Sequence, residues 1–275
     1  MKKSVFLLIT ILTILLFGCT QGGVSETQTE VFEQETIFEQ QTFSEEETVP
    51  VGENETQEET PEKKEASKIY VKSLTNGLSV RLGPGTKYEK TGTLDVGDKV
   101  VYCGAEGNWY RTFYRGQAAY VSAGYAELTE MAVADERTES VIALGERYLG
   151  TPYVYGAVRL HDGRGNLLKN FTDTEFDCSS YMQYIFYYGA DAILRETTRT
   201  QVNQGEAVSR EDIRRGDLIF MTNSSRKNLT GVERIGHVAM YLGDNYILHT
   251  ASDHAVIEKM SSVRWDNFVA ARRMF

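Results

Sequence analysis

The chain has 275 residues, of which 41% are hydrophobic and 11% aromatic, and it carries a net charge of −10. This length and composition predict one or two globular domains. The charge is uneven, because residues 20–68 contain 14 Glu and three Lys whereas residues 69–275 are almost neutral. The folded part therefore lacks the basic field that nucleic acid requires, and no nucleic-acid partner is expected.

The first 18 residues have the pattern of a secretion signal. Lys2 and Lys3 precede an apolar run at 5–17, which is shorter than the roughly 20 residues of a membrane-spanning helix. The run ends in Gly18 and Cys19, which resemble a bacterial lipobox. The resemblance implies cleavage before Cys19 and lipid attachment to its sulfur, so that the protein is anchored to the cell membrane and faces the wall. An ordinary signal peptide with an incidental cysteine is the alternative.

Residues 19–68 are rich in Glu, Gln and Thr and poor in apolar side chains. Such a segment cannot bury a core, so we predict a disordered acidic linker. Its like charges favour an extended spacer between the membrane and the folded part.

Residues 69–129 alternate short apolar runs with turn signals, which predicts several short strands. The motifs are LSVRLGPG at 78–85, LDVGD at 94–98, NWY at 108–110 and AYV at 119–121. They resemble the bacterial SH3-like domain, a small all-β barrel. The resemblance implies a module that binds wall peptide or shapes a neighbouring cleft. Trp109 either lines a ligand groove or packs in the barrel.

Residues 130–275 read as helices followed by strands, which predicts an α+β domain. Apolar spacing within 135–149 predicts one helix. Asp177 is a good N-cap for a second helix, which starts at Cys178 and is expected to stop at Gly189 and to pack beside the first. Strands are predicted at 216–221, 237–242, 245–249, 255–258 and 268–273. Together they form an antiparallel sheet.

Cys178 is the candidate nucleophile. At a helix start its thiolate is favoured by the helix dipole. His237 and His249 fall on consecutive predicted strands joined by a turn, which can place both imidazoles on one sheet. A cysteine followed by a histidine and a further polar group has the order of papain-like hydrolases. Any one of these residues alone would more often be structural.

Five ordered motifs carry a family resemblance. They are TPYVYG at 151–156, FDCS at 176–179, RGDLIF at 215–220, GHVA at 236–239, and His249. They resemble the NlpC/p60 cell-wall peptidases, which have a papain-like α+β fold with helices packed on an antiparallel sheet. The resemblance implies that Cys178 attacks, His237 transfers protons and His249 orients His237. It also places the Tyr153 hydroxyl near the oxyanion and a substrate amine at Asp177 and Ser179.

The resemblance implies hydrolysis of peptidoglycan stem peptides at the bond between D-glutamate and a diamino acid. Two alternatives remain, a non-hydrolytic wall-binding lipoprotein and a Cys-dependent acyltransferase. No cofactor is expected. The sequence contains no CxxC pair, so a zinc site is not expected either. Residues 158–175 form a loop longer than the family's usual spacing, in which His161 and Asp162, together with Asp173, are interpreted as residues of a solvated loop rather than as metal ligands.

Overall fold

The structure is a computed structural model that describes residues 66–251 and 253–275. The predicted signal peptide at 1–18, the lipidation site at Cys19 and the linker as far as residue 65 lie outside these ranges. Within them, no helix is both long and apolar enough to cross a bilayer. The described residues all belong to one compact unit.

The first part of the described chain is an all-β barrel, as predicted. Its strands are β1 (Ser67–Ser73), β2 (Leu78–Arg81), β3 (Lys90–Leu94), β4 (Lys99–Val101), β5 (Ala105–Glu106), β6 (Trp109–Tyr114), β7 (Gln117–Ser122) and β8 (Ala126–Ala132). One antiparallel sheet has the order β3-β2-β7-β6-β5, while β8, β1 and β4 are neighbours in another. Tyr70, Val80 and Val121 are fully buried in the core, and Trp109 is half-buried.

The ends of this barrel differ from the predicted boundaries of 69 and 129. β1 already includes Ser67 and Lys68, which were assigned to the linker, and β8 continues to Ala132. The two strands pair along their whole length, from Ser67 opposite Ala132 to Ser73 opposite Ala126. Because each strand satisfies the backbone groups of the other, both extend together.

Two helices follow, α1 (Glu136–Arg147) and α2 (Cys178–Ala190), and they pack against each other as predicted. The predicted stop at Gly189 is wrong, because this glycine lies inside α2. A Cβ atom there would fall 2.7 Å from the Cα atom of Val141, so the missing side chain permits the close approach of α1. The helix ends at Ala190, and the C-cap residue Asp191 adopts a left-handed conformation with φ of 49°.

The second half of the domain is an antiparallel sheet, which confirms the α+β class. Its strands are β9 (Glu206–Val208), β10 (Leu218–Met221), β11 (His237–Gly243), β12 (Tyr246–Ala251), β13 (His254–Lys259) and β14 (Phe268–Arg273), and two short helices are α3 (Thr198–Gln201) and α4 (Ser262–Asp266). The strand order is β13-β12-β11-β10-β14-β9. α2 packs on β11 and β12, so the start of this helix meets the strands that carry both histidines.

The barrel and the α+β domain share one sheet. β4 pairs with β13 through Lys99 opposite Ile257, which makes a continuous nine-stranded sheet. Lys99 is buried, and its Nζ lies 4.1 Å from the ring centroid of Tyr246. Across the same junction the Tyr70 hydroxyl donates to Glu146 Oε1 at 2.5 Å. β13 is therefore held on both edges, by β12 and by the barrel.

The loop between the two helices is not simply solvated. His161 is completely buried, with its ring centroid 5.3 Å from that of Tyr187. Its Nδ1 accepts a hydrogen bond from the backbone N–H of Gly163 at 3.0 Å. The interpretation of His161 as a solvated loop residue is wrong, because the ring packs against α2 and anchors the loop there.

Candidate active site

Cys178 is the first residue of α2, and the residues around it form a capping box. Asp177 Oδ1 accepts from the backbone N–H of Ser180 at 2.7 Å and from the Ser179 hydroxyl at 2.9 Å. In return, Ser180 Oγ accepts from the backbone N–H of Asp177 at 2.8 Å. These bonds satisfy the backbone N–H groups of Asp177 and Ser180 and fix the start of the helix at Cys178.

The sulfur of Cys178 lies in a nearly closed environment. The residue is 7% exposed. Burial, followed by the charge of Asp177, raises the pKa of the thiol to about 12, although the backbone N–H groups of Val238 and Ser179 oppose this rise. Burial therefore disfavours the thiolate, which is the opposite direction from the one expected from the helix dipole. The N–H of Val238 places the sulfur beside the start of β11.

His237 and His249 form a hydrogen-bonded pair on the two strands predicted to carry them. His237 Nε2 lies 2.8 Å from His249 Nδ1, and the two rings are inclined by 75°. His237 immediately precedes Val238, whose backbone faces the sulfur. The structure thus pairs the two histidines named from the sequence and places the backbone of the residue after His237 beside the cysteine sulfur, while the catalytic roles of the three residues stay predictions.

Two further residues, Glu258 and Arg264, extend the histidine pair. His249 Nε2 lies 2.8 Å from Glu258 Oε1, and the guanidinium of Arg264 bonds the same oxygen. Burial alone would raise the pKa of Glu258, but the hydrogen bond from His249 and the charge of Arg264 lower it below its ordinary value. Glu258 is therefore an ionised carboxylate, which can only accept hydrogen bonds.

The charge of Glu258 fixes the protons on both imidazoles. Because its carboxylate accepts, Nε2 of His249 carries the proton and Nδ1 of neutral His249 accepts from Nε2 of His237. Nδ1 of His237 is then left without a proton. Burial lowers the pKa of His237 well below its ordinary value, and repulsion from the Arg264 guanidinium, and from His249 whenever that ring is protonated, acts in the same direction. The ring is neutral at neutral pH and can act as a general base.

Tyr153 lies near Cys178 and Asp177 and lines a cavity together with His237. Its backbone N–H donates to the carbonyl of Asp253 at 2.8 Å, and it forms a parallel bridge with Phe176, two residues before Cys178. Burial raises the pKa of its phenol, and unfavourable electrostatic interactions with the ionisable groups of Cys178 and Asp177 act in the same direction. The hydroxyl therefore keeps its proton and can donate a hydrogen bond to a nearby oxyanion.

Asp177 and Ser179, the predicted amine-binding pair, are both buried, at 6% and 4% exposure. Oδ1 of Asp177 is occupied by the helix cap, and Nη2 of Arg159 from the long loop lies 3.8 Å from Oδ2. A substrate amine would have to share this carboxylate with the guanidinium. Amine binding at Asp177 and Ser179 stays a prediction.

A cavity of about 360 Å³ opens beside His237. Its lining residues are Tyr153, Met221, Thr222, Asn223, Ser224, Gly236, His237, Thr250, Arg264 and Asn267. They come from the α+β domain, so the barrel supplies no wall of this cavity. Among the described residues, no group of three or more His, Cys, Asp or Glu side chains is placed to hold a metal ion.

Glu258, Arg264 and Arg159 were missed from the sequence. The sequence did contain a signal for Glu258, because this residue is the last one of the predicted strand that follows the strand of His249. In the observed register His249 pairs with Val256 and Ile247 pairs with Glu258, so alternation places Glu258 on the face of His249. Arg264 and Arg159 come from a short helix and a loop, whose side-chain directions no periodic pattern fixes.

Two sequence-family models match the chain. The sequence model of the NlpC/P60 family matches residues 150–274, and that of the bacterial SH3 domain matches residues 76–127. A probable endopeptidase from Haemophilus influenzae is 32% identical over 129 residues, which are 46% of this chain and 68% of the relative. The chain belongs to the NlpC/P60 family.

Further relatives are similar to this chain over shorter shares of their own length. A gamma-DL-glutamyl hydrolase from Bacillus subtilis is 28% identical over 162 residues, which are 58% of this chain and 35% of that protein. The chain covers a quarter to a half of two further curated relatives. A crystal structure of an NlpC/P60 family protein from Bacillus cereus overlays with a TM-score of 0.40 at 20% identity, over 75% of this chain and 63% of the other. The family assignment stands on the sequence matches.

Proposed function

We propose that this NlpC/P60 chain is an extracytoplasmic cysteine peptidase that hydrolyses peptidoglycan stem peptides at the bond between D-glutamate and a diamino acid. The observation that carries the proposal is the placement of the Cys178 sulfur beside β11, with His237, His249 and Glu258 hydrogen-bonded in series. The names of similar proteins, among them glutamyl hydrolases and peptidoglycan endopeptidases, support the substrate.

The reaction begins from a neutral thiol and a neutral imidazole. As Cys178 attacks the amide carbon, Nδ1 of His237 takes the thiol proton, which avoids a buried thiolate in the resting state. The imidazolium that forms is stabilised through His249 by the carboxylate of Glu258. The oxyanion is held by the backbone N–H of Cys178 and by the hydroxyl of Tyr153.

Collapse of the tetrahedral intermediate breaks the carbon–nitrogen bond. His237 delivers its proton to the leaving amine, and the acyl group remains on Cys178 as a thioester. Water then attacks this thioester while His237 accepts a proton from the water. The thiolate leaves, takes back a proton from His237, and the product is a carboxylic acid.

Digestion of purified muropeptides by the full chain tests this function. We expect mass spectrometry to show a product pair separated at the D-glutamyl–diamino acid bond, with the mass of one water added. Cleavage at another stem-peptide bond would show that the enzyme is specific for that bond instead. Intact muropeptides after prolonged incubation would contradict the peptidase proposal.

We further propose that Cys19 carries a lipid that anchors the protein to the membrane facing the wall. The apolar run that ends in Gly18 and Cys19 supports this. In cells that express the full chain, Cys19→Ala should move the protein from the membrane fraction to the soluble fraction, while muropeptide hydrolysis is retained. If the Cys19 variant remains with the membranes, the lipid is not the anchor.

A further inference from the structure

Arg159, near the start of the long loop between α1 and α2, reaches the residue that precedes the candidate nucleophile. Its Nη2 atom lies 3.8 Å from Oδ2 of Asp177, which comes directly before Cys178 in the chain. Its Nε atom donates a hydrogen bond to the backbone carbonyl of Glu196. Two nitrogens of the guanidinium therefore have fixed neighbours, one a main-chain carbonyl and the other the Asp177 carboxylate.

The chain next to Arg159 packs on α2. Leu160 and His161, the two residues that follow Arg159, are buried. The backbone N–H of His161 donates to Oε1 of Gln183 on α2 at 3.3 Å. The Arg159 side chain itself is 26% exposed. Its interaction with Asp177 is therefore screened by solvent and salt less than an ion pair on an open surface would be.

Asp177 places a nearly buried negative charge beside Cys178. One oxygen of its carboxylate accepts from the backbone N–H of Ser180 and from the hydroxyl of Ser179. These bonds tie the carboxylate to the first turn of α2, so its charge stays close to the sulfur. Burial is the main cause of the raised pKa of the Cys178 thiol, and the charge of Asp177 is the next. The cap that starts the helix thus also opposes negative charge on the sulfur.

The proposed reaction builds negative charge at this place. The sulfur of Cys178 loses its proton as it attacks, and the tetrahedral intermediate then carries a negative oxygen near the start of α2. The like charge of Asp177 disfavours both. A positive charge close to Asp177 offsets this effect, because the fields of two neighbouring opposite charges largely cancel at the sulfur.

We propose that Arg159 is a positioning residue for the reaction, whose guanidinium is the counter-charge of Asp177 and keeps this capping carboxylate from suppressing attack by Cys178. The inference rests on the proposed peptidase function for its effect on cleavage, whereas its effect on the thiol is independent of what is cleaved. The long loop then contributes to the reaction through Asp177.

The rate at which iodoacetamide alkylates Cys178 in the full chain tests this counter-charge. At a fixed neutral pH this rate follows the thiolate fraction, and mass spectrometry of the peptide that contains Cys178 distinguishes it from the other two cysteines. Arg159→Gln should lower the rate about three- to tenfold, because the pKa of the thiol rises further. Arg159→Lys keeps the positive charge and should retain most of the wild-type rate.

A substitution of Asp177 separates the effect of charge from that of structure. Asparagine caps helices about as well as aspartate, so Asp177→Asn should preserve α2 while it removes the negative charge. Cys178 should then be alkylated faster than in the wild type. The double variant, which combines Arg159→Gln with Asp177→Asn, loses both charges, and its rate should return at least to the wild-type value.

Arg164→Gln is the matched control. Arg164 is exposed on the same loop, and its charge acts on Asp162. The substitution changes the net charge of the protein by the same amount as Arg159→Gln does. It should leave the alkylation rate of Cys178 unchanged, because its charge is not the one that faces Asp177.

Cleavage of a stem peptide is the second measurement, and kcat/KM of Arg159→Gln should fall by about the same factor as its alkylation rate. The inference is wrong if Arg159→Gln is alkylated as fast as the wild type, or if the double variant is as slow as Arg159→Gln, which would indicate a displaced loop. If the alkylation rates follow the expected order but the wild type cleaves no stem peptide, the counter-charge stands and the peptidase proposal fails.

Discussion

Replacement of Cys178 by alanine is expected to lower kcat for muropeptide hydrolysis by at least about 10⁴-fold, because no other group can form the thioester. The residue is nearly buried at the start of α2, and its backbone N–H remains in place in the variant. Binding of the stem peptide should therefore persist. The measurement is single-turnover cleavage followed by mass spectrometry, with calorimetry for binding.

Cys178→Ser is the matched variant, because it keeps a nucleophilic oxygen at nearly the same place. His237 has a depressed pKa and is a weak base for a hydroxyl, so the serine variant should also lose most activity. Both variants should melt within a few degrees of the wild type, since the capping box of Asp177 and Ser180 is untouched. Turnover by the alanine variant at the wild-type rate would reject Cys178 as the nucleophile.

Local signals in the sequence were sufficient to predict the main elements. Asp177 placed the start of α2 because only short acceptor side chains cap a helix in this way. Gly189 misled the prediction of its end, because glycine serves both to stop helices and to let two helices approach. Only the contact with Val141, which is far away in sequence, decides between these uses. The strand ends that exceeded prediction, at Ser67 and Ala132, likewise depend on a partner strand.

The candidate site was predictable in its residues but not in its electrostatics. The motifs named Cys178, His237 and His249, and strand alternation would have allowed Glu258 to be found. The helix dipole suggested a thiolate, yet burial raises the pKa of Cys178 to about 12. Desolvation depends on what surrounds the sulfur in three dimensions, which no local pattern reports. The same holds for Arg159, which reaches Asp177 only because the loop folds back onto α2.

These electrostatics favour general-base catalysis over a preformed ion pair. A raised thiol pKa and a lowered imidazole pKa both oppose charge separation before substrate binds. The pair must become charged during attack, so whatever stabilises the imidazolium of His237 contributes directly to the rate. The group placed to do so is Glu258, one residue beyond His249 in the hydrogen-bonded series.

Glu258→Gln is therefore expected to lower kcat by about 10- to 100-fold while KM changes little. Glutamine keeps an oxygen that can accept from His249 and Arg264, so the fold and the proton positions can persist. The negative charge is lost, and the imidazolium formed during attack is less stable. Glu258 does not line the cavity beside His237, so ground-state binding should be preserved. Steady-state kinetics on a stem peptide measures both parameters.

The pH profile separates this role from a purely structural one. Glu258 raises the pKa of His249, and its removal leaves Arg264 as an uncompensated positive charge that lowers the pKa of both histidines. In this variant His237 is protonated, and so lost as a general base, only at a lower pH than in the wild type. The acid limb of kcat/KM in Glu258→Gln should thus shift to lower pH, even as the plateau falls.

Two further variants complete the experiment. Glu258→Asp keeps the charge and should retain more activity than Glu258→Gln. Glu127→Gln removes a carboxylate that pairs with Lys72 at the barrel surface and should match the wild type in rate and profile. If Glu258→Gln lowers the melting temperature and the rate but leaves the acid limb in place, Glu258 supports only the fold. In that case His249 alone stabilises the imidazolium of His237, because no charge beyond His249 in the hydrogen-bonded series contributes to catalysis.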